Sequence, residues 1–195
     1  MRRDQALYFF DFVLCPILIA YYSLDAIASG GGGQSLNAIF WCFCGLVLWT
    51  FIEYWVHRGL FHHAPGLREM HEVHHRLPEL LIGAPPAILP CTLVLLGYIL
   101  FSTLGPLIHS SICAGLLTGY LVYSFVHYAT HHIEHARVEY LVTARRKHLQ
   151  HHYSSGRHNF GVTTDFWDHV FGTAFIAMIR LKRRRAGDFG SLDGS

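Results

Sequence analysis

Residues 36–57 read LNAIFWCFCGLVLWTFIEYWVH. From Leu36 to Val56 the only charged side chain is Glu53, near the far end, and Trp41, Trp49 and Trp55 are spread along the run. Its length meets the roughly 20 residues that a helix needs to cross a bilayer. The run ends on His57, so it reads as a span that delivers an imidazole to a membrane surface. The rest of the chain repeats that arrangement.

Upstream, Leu7 to Ala28 is a second apolar run with Asp11 and Asp25 near its ends. It reads as a retained helix and not a signal peptide, because a long Tyr/Phe-rich stretch exits without a small-residue cleavage pattern. Gly30 to Gly33 break it. Downstream, Pro85, Pro86 and Pro90 disturb the start of an apolar run whose regular helix is expected from Ile88 to Leu104. Gly105-Pro106 makes the turn, and Leu107 to about His132 returns. With 52% hydrophobic and 14% charged residues, against about 25% charged in soluble domains, the chain reads as a membrane protein of one domain. Backbone groups in lipid must be satisfied internally, so the bundle is helical. The expected fold is an all-α integral membrane protein: four transmembrane helices (7–28, 36–56, 88–104, 107–128) above a cytosolic helical cap (57–80 and 132–185). Residues 1–185 form the domain, and 186–195 read as a disordered tail.

Basic residues orient it. All 15 lysines and arginines, from Arg2 and Arg3 through Arg58, Arg68, Arg76 and Arg137 to Arg185, fall on one side of a four-span arrangement, and the loops at 29–35 and 105–106 have none. That places both termini in the cytoplasm. Arg180 to Arg185 reads as a topology anchor beside anionic lipid. A net charge of +2 with no nucleic-acid motif gives no reason to expect nucleic acid as a partner. Cys15, Cys42, Cys44, Cys91 and Cys113 lie in apolar stretches without paired spacing and read as small buried hydrophobes.

Histidine carries the chemistry. In His71-Glu72-Val73-His74-His75 three imidazoles recur at i, i+3 and i+4, on one helical face. The pattern returns as His148-Leu149-Gln150-His151-His152, accompanied by the pairs His57/His62 and His127/His131. Leu67 to Leu77 and Arg137 to Gln150 read as short surface helices bearing the triplets, and Phe160 to Ile179 as a segment lying against the bundle or the interface. All four clusters fall on the cytoplasmic side. Imidazole is a ligand for iron, zinc, copper or nickel. Ten imidazoles exceed the four ligands of a closed zinc site and suit two metals of about five ligands each. Haem would place paired ligands inside the spans and has no use for triplets. Glu53, Glu72 and Glu134 are candidates to support the ligands, each equally readable as a solvated or helix-pairing acid. His109 and His169 read as structural.

In this order, and followed by Asn159-Phe160-Gly161 and Trp167-Asp168-x-x-Phe171-Gly172-Thr173, the boxes resemble the fatty acid hydroxylase and sterol desaturase superfamily, and within it are most similar to fatty acid 2-hydroxylases. The resemblance covers about residues 49–175. It implies a non-haem centre of two iron ions, although an all-histidine site can hold zinc in a purified sample. It implies His57, His62, His71, His74, His75, His127, His131, His148, His151 and His152 as ligands, and O2-dependent hydroxylation of a lipid. His63, His132, His135 and His158 stand beside the boxes as supporting or structural residues. Electrons are expected from a separate cytochrome-type or ferredoxin-type protein.

Metals just outside the hydrocarbon reach a carbon near a lipid head group more easily than one deep in a tail, which favours the acyl 2-position. A sterol-type or carotenoid-type oxidase of the same superfamily is the alternative enzyme. A metal-binding or metal-transport protein is the alternative outside enzymes, although transport predicts ionisable residues along the spans, whose centres here are nearly free of them.

Overall fold

The computed structural model describes residues 8–81, 87–154 and 156–175, among which every regular element is helical. These are α1 (Asp11–Gly30), α2 (Ser35–Trp55), α3 (Leu67–Arg76), α4 (Ile88–Phe101), α5 (Pro106–His132), α6 (Glu139–Ser154) and α7 (Phe166–Val170). Short 3-10 turns at Gly31–Gly33 and Ser102–Leu104 close the α1/α2 and α4/α5 hairpins. Arg2 and Arg3, Pro85 and Pro86, the basic cluster from Arg180 and the tail from Ala186 lie outside the described residues.

Among the described residues three helices are long and apolar enough to cross a membrane: Asp11–Gly30, Ser35–Phe61 and Pro106–His132. The fourth expected span, α4, has 14 residues and a three-residue 3-10 extension, and falls short of that length. On α1, Val13, Ile17, Tyr21, Leu24 and Ile27 are each at least 60% exposed and, three or four apart, form one outward stripe. A continuous apolar face of that size suits hydrocarbon and not water.

The bundle is organised around α5, which packs against α1, α2 and α4. Small residues permit this: Ser110, Ser111, Cys113, Ala114 and Gly115 are all buried. A Cβ on Gly115 would sit 2.0 Å from the Cys42 carbonyl oxygen, so the α2 and α5 backbones touch, as small-residue helix pairs do in membranes. Trp49 packs edge-on to Tyr120, 5.4 Å between ring centres, in a core with Cys15, Leu93, Ile112 and Leu116. Cys113 is also buried, whereas Cys91 faces outward.

A buried charge is costly without partners, and the acids of α1 have them. Asp11 accepts hydrogen bonds from the Tyr120 hydroxyl at 2.5 Å and the Ala87 amide at 2.8 Å, joining α1, α5 and the start of α4. Asp25 accepts from Ser110 at 2.5 Å.

Two boundaries differ from the sequence reading. The helix of α2 does not stop before His57 but runs on as a π-helix, Val56–Phe61. Helix α6 runs to Ser154, so the whole second triplet is helical. After α6 the chain turns back beneath α2. Trp167 packs on Phe51 at 4.9 Å and donates to Thr50 at 3.0 Å, and Phe171 stacks on Tyr54 at 5.3 Å.

Candidate metal centre

The π-helix explains the His57-x4-His62 spacing. In an α-helix five residues advance the side chain about 140° past a full turn, onto different faces. The i→i+5 hydrogen bonding of a π turn brings residues five apart into line. The two rings accordingly stack at 5.3 Å.

Each triplet then divides. From α3, His71 and His75, one turn apart, approach each other with Nε2 atoms 3.0 Å apart, while His74 points elsewhere. From α6, His148 and His152 form the one-turn pair at 3.0 Å, and His151 stands apart. The single ring of each triplet crosses to the pair of the other. His57, His62, His71, His75 and His151 have ligand atoms all within 4.8 Å of one another, as do His74, His131, His148 and His152. His127 adjoins the second group, its Nε2 atom 3.0 Å from that of His74. The groups abut through His75 and His152, whose rings stack at 4.2 Å. All ten histidines of the boxes are therefore brought together, five to a group.

The donor chemistry fits a metal. Burial first, then neighbouring imidazoles, holds His62 down to about 4, His74 and His151 to about 3 and His152 to about 2. Burial also lowers His71, His75 and His148. These rings are neutral at pH 7, the state that binds a metal. Nε2 atoms converge within each group at 2.8–3.1 Å. Neutral imidazoles carry one N–H each, too few to satisfy such a cluster, whereas a cation answers every lone pair.

Backbone carbonyls aim the first group. His57 Nδ1 lies 2.6 Å from the Phe160 oxygen, and His151 Nδ1 lies 2.7 Å from the His158 oxygen. That stretch of chain is itself gripped. Asp168 accepts from the Phe160 and Gly161 amides at 2.9 and 2.8 Å and from the Thr173 hydroxyl at 2.7 Å. Burial pushes its carboxyl up, against hydrogen bonds that favour the charge. Glu53 accepts from the Val162 and Thr163 amides at 2.7 and 2.9 Å and from the Thr163 hydroxyl. Asn159 takes the left-handed conformation, φ 55°, which asparagine tolerates, and its amide donates to Gln150 at 3.2 Å.

The supporting residues read from sequence fare unevenly. Glu53 is 2% exposed and acts on the loop behind His57. Glu72 instead pairs with Arg68 and Arg76 along α3. Glu134 and His135 are exposed. His132 stacks on Tyr128 at 4.7 Å, and His63 turns its Nδ1 back to the Arg58 carbonyl at 3.0 Å. His158 contributes its backbone oxygen. His109 sits between Tyr22 and Tyr98, away from the centre, and His169 contacts Asp165. Sequence reasoning left Asp168 without a role, although the Trp167-to-Thr173 motif contains it.

A partly enclosed cavity opens on His57, His71, His74 and His127 and runs between α1, α2 and α5. Phe12, Val56, Phe61, Met70 and Leu89 make it apolar; Asp11 and Glu53 also line it, and no lysine or arginine does among the described residues.

Residues 42–173 match the sequence pattern of the fatty acid hydroxylase family. The chain is 34% identical over 144 residues to the fatty acid 2-hydroxylase of Mus musculus, covering 66% of this chain and 38% of that protein. It is 33% identical over 170 residues to the ceramide very long chain fatty acid hydroxylase SCS7 of Saccharomyces cerevisiae, covering 80% and 44%. Against these two the chain spans about two fifths of the relative's length. A solved structure of full-length scs7p, with only its hydroxylase domain visible, superposes with a TM-score of 0.76 at 29% identity, over 87% of this chain and 67% of that one.

Proposed function

The chain belongs to the fatty acid hydroxylase family, and we propose from that premise that it hydroxylates the acyl chain of a membrane lipid, at the 2-position. The observation that carries this reading is the convergence of two five-histidine groups at the mouth of an apolar cavity. The ten histidines of the boxes are the ligands of two iron ions. Bound there, the irons supply the oxidant, so that an acyl C–H, O2, two protons and two electrons become C–OH and water. The electrons come from a separate cytochrome-type or ferredoxin-type donor.

The protein's own groups orient and exclude. Phe160 and His158 carbonyls fix the His57 and His151 rings, and the cavity wall holds an acyl segment away from water. A lining that among the described residues has two acids and no lysine or arginine favours an acyl chain in neutral amide linkage over a free carboxylate. The name of the yeast relative, a ceramide hydroxylase, supports the same choice. Among the described residues the acids of the spans, Asp11, Asp25 and Glu53, are each tied to a neighbouring helix or loop and form no polar path, which speaks against ion transport.

We read the topology as four spans with α4 as the shortest, one domain over residues 1–185, and the centre in a cytosolic cap. The one-sided distribution of all 15 basic residues supports it. Mass spectrometry of lipids from cells expressing the wild type and His151→Ala tests the activity. A 2-hydroxy acyl lipid in the wild type alone is expected; a product hydroxylated elsewhere, or none, rules the assignment out.

A further inference from the structure

We propose that the two histidine groups hold metal unequally: the group around His57 binds tightly, and the group around His74 is the exchangeable position. This rests on the two-metal reading above and concerns what each group's own residues do behind the ligand atoms.

The difference lies at Nδ1. A ring that binds metal through Nε2 keeps its proton on Nδ1, and a partner for that proton fixes the ring's rotation and raises the basicity of the ligand atom. In the first group His57 and His151, 3% and 0% exposed, both have such a partner, the Phe160 and His158 carbonyls at 2.6 and 2.7 Å. Those carbonyls belong to one short stretch of chain whose amides are held by Asp168 and Glu53. The aim of the rings is thus set by a network anchored in α2 and α7.

The second group has nothing equivalent. Nδ1 of His74, His131, His148 and His152 is buried in every case and has no hydrogen-bond partner among the described residues. Among the described residues no acceptor fixes these rings through Nδ1, and each binds metal only by leaving a buried N–H without such an acceptor. Fully buried Nδ1 atoms without a partner fall in the second group four times and in the first not at all, where carbonyls hold two of the five rings, His57 and His151. Partners of this kind each affect metal affinity by about 10- to 100-fold, which sets the expected inequality.

Purified protein carrying its iron is challenged with excess chelator, and released iron is counted over time by elemental analysis. Release is expected in two phases of one equivalent each, with rates differing by about 10- to 100-fold. His74→Ala should abolish the fast phase and keep the slow one. Asp168→Asn, which weakens the hold on the Phe160 and Gly161 amides, should accelerate the slow phase and leave the fast one unchanged. Release of both equivalents in a single phase overturns the inference, as does a slow phase that disappears in His74→Ala; the wild-type time course decides even if a variant does not fold. Single-phase release from a protein that still makes the hydroxylated lipid defeats only the inequality, whereas wild-type protein that takes up no iron defeats the two-metal reading itself.

Discussion

The Nδ1 atom of His57 and the carbonyl oxygen of Phe160 lie 2.6 Å apart across 103 residues of sequence. A ring at the end of a membrane helix is therefore aimed by a loop that follows the last histidine box. The loop in turn depends on Glu53, one turn before His57 on the same helix, which receives the Val162 and Thr163 amides.

Glu53→Ala should strip those buried donors of their acceptor. An unsatisfied buried donor costs about 1–3 kcal/mol, so a loss of about 2–4 kcal/mol is expected, together with reduced iron content. Glu53→Gln keeps one carbonyl oxygen for both amides and should cost only about 1 kcal/mol. Thermal unfolding in detergent with parallel iron analysis separates them; equal losses for the two variants would show that charge, and not the loop's anchorage, is what matters.

Gly115→Ala tests the contact between α2 and α5. Alanine gains about 1 kcal/mol in helix propensity. Its Cβ would meet the Cys42 carbonyl oxygen at 2.0 Å, and backbone cannot yield as a flexible side chain does. Overpacking of this kind costs about 1–3 kcal/mol or more, so net destabilisation is expected. An unchanged or raised melting temperature would mean that the helices are not in contact there.

Three of the four expected spans were legible because lipid imposes one requirement, a long apolar run, that any reader of the chain can apply. Sequence periodicity located the ten histidines because their spacings repeat. It did not show the π turn at Val56–Phe61, since His-x4-His has no meaning on an α-helix and the helix was ended before it. Nor did it show how His71 and His75 separate from His74, a division that depends on where α6 lies. Asp168 stood in a quoted motif, yet its task is to hold amides eight and seven residues back in the chain, and loop closure of that kind leaves no periodic trace. The fourth span stayed unsettled because proline at 85, 86 and 90 consumed the start of a run already near the minimum length.

Asp11 offers a third test, within the bilayer. Its carboxylate joins Tyr120 on α5 to the Ala87 amide at the start of α4. Hydrogen bonds between membrane helices average about 0.6 kcal/mol and reach about 1.7. Asp11→Ala removes two from a site 6% exposed, so a loss of about 1–3 kcal/mol is expected. Asp11→Asn keeps one acceptor and should lose less. If α4 is held by packing alone, both variants will melt with the wild type.

The cavity is tested by filling it. Ser124 lines it on α5, one turn before Tyr128 and beside Tyr123, and its hydroxyl is engaged only with the Tyr120 carbonyl at 2.9 Å. Ser124→Ala removes that local bond and no cavity volume, and should leave lipid hydroxylation unchanged. Ser124→Trp places an indole in the space proposed for the acyl chain. Of the ten imidazoles only those of His57, His71, His74 and His127 line the cavity, so iron content should stay within experimental error of the wild type while hydroxylated lipid falls at least tenfold, about 1.4 kcal/mol in the barrier or in binding. The combination discriminates: loss of both iron and product would mean that the bulky residue has disturbed the bundle, and retention of both would show that the substrate reaches the centre by another route.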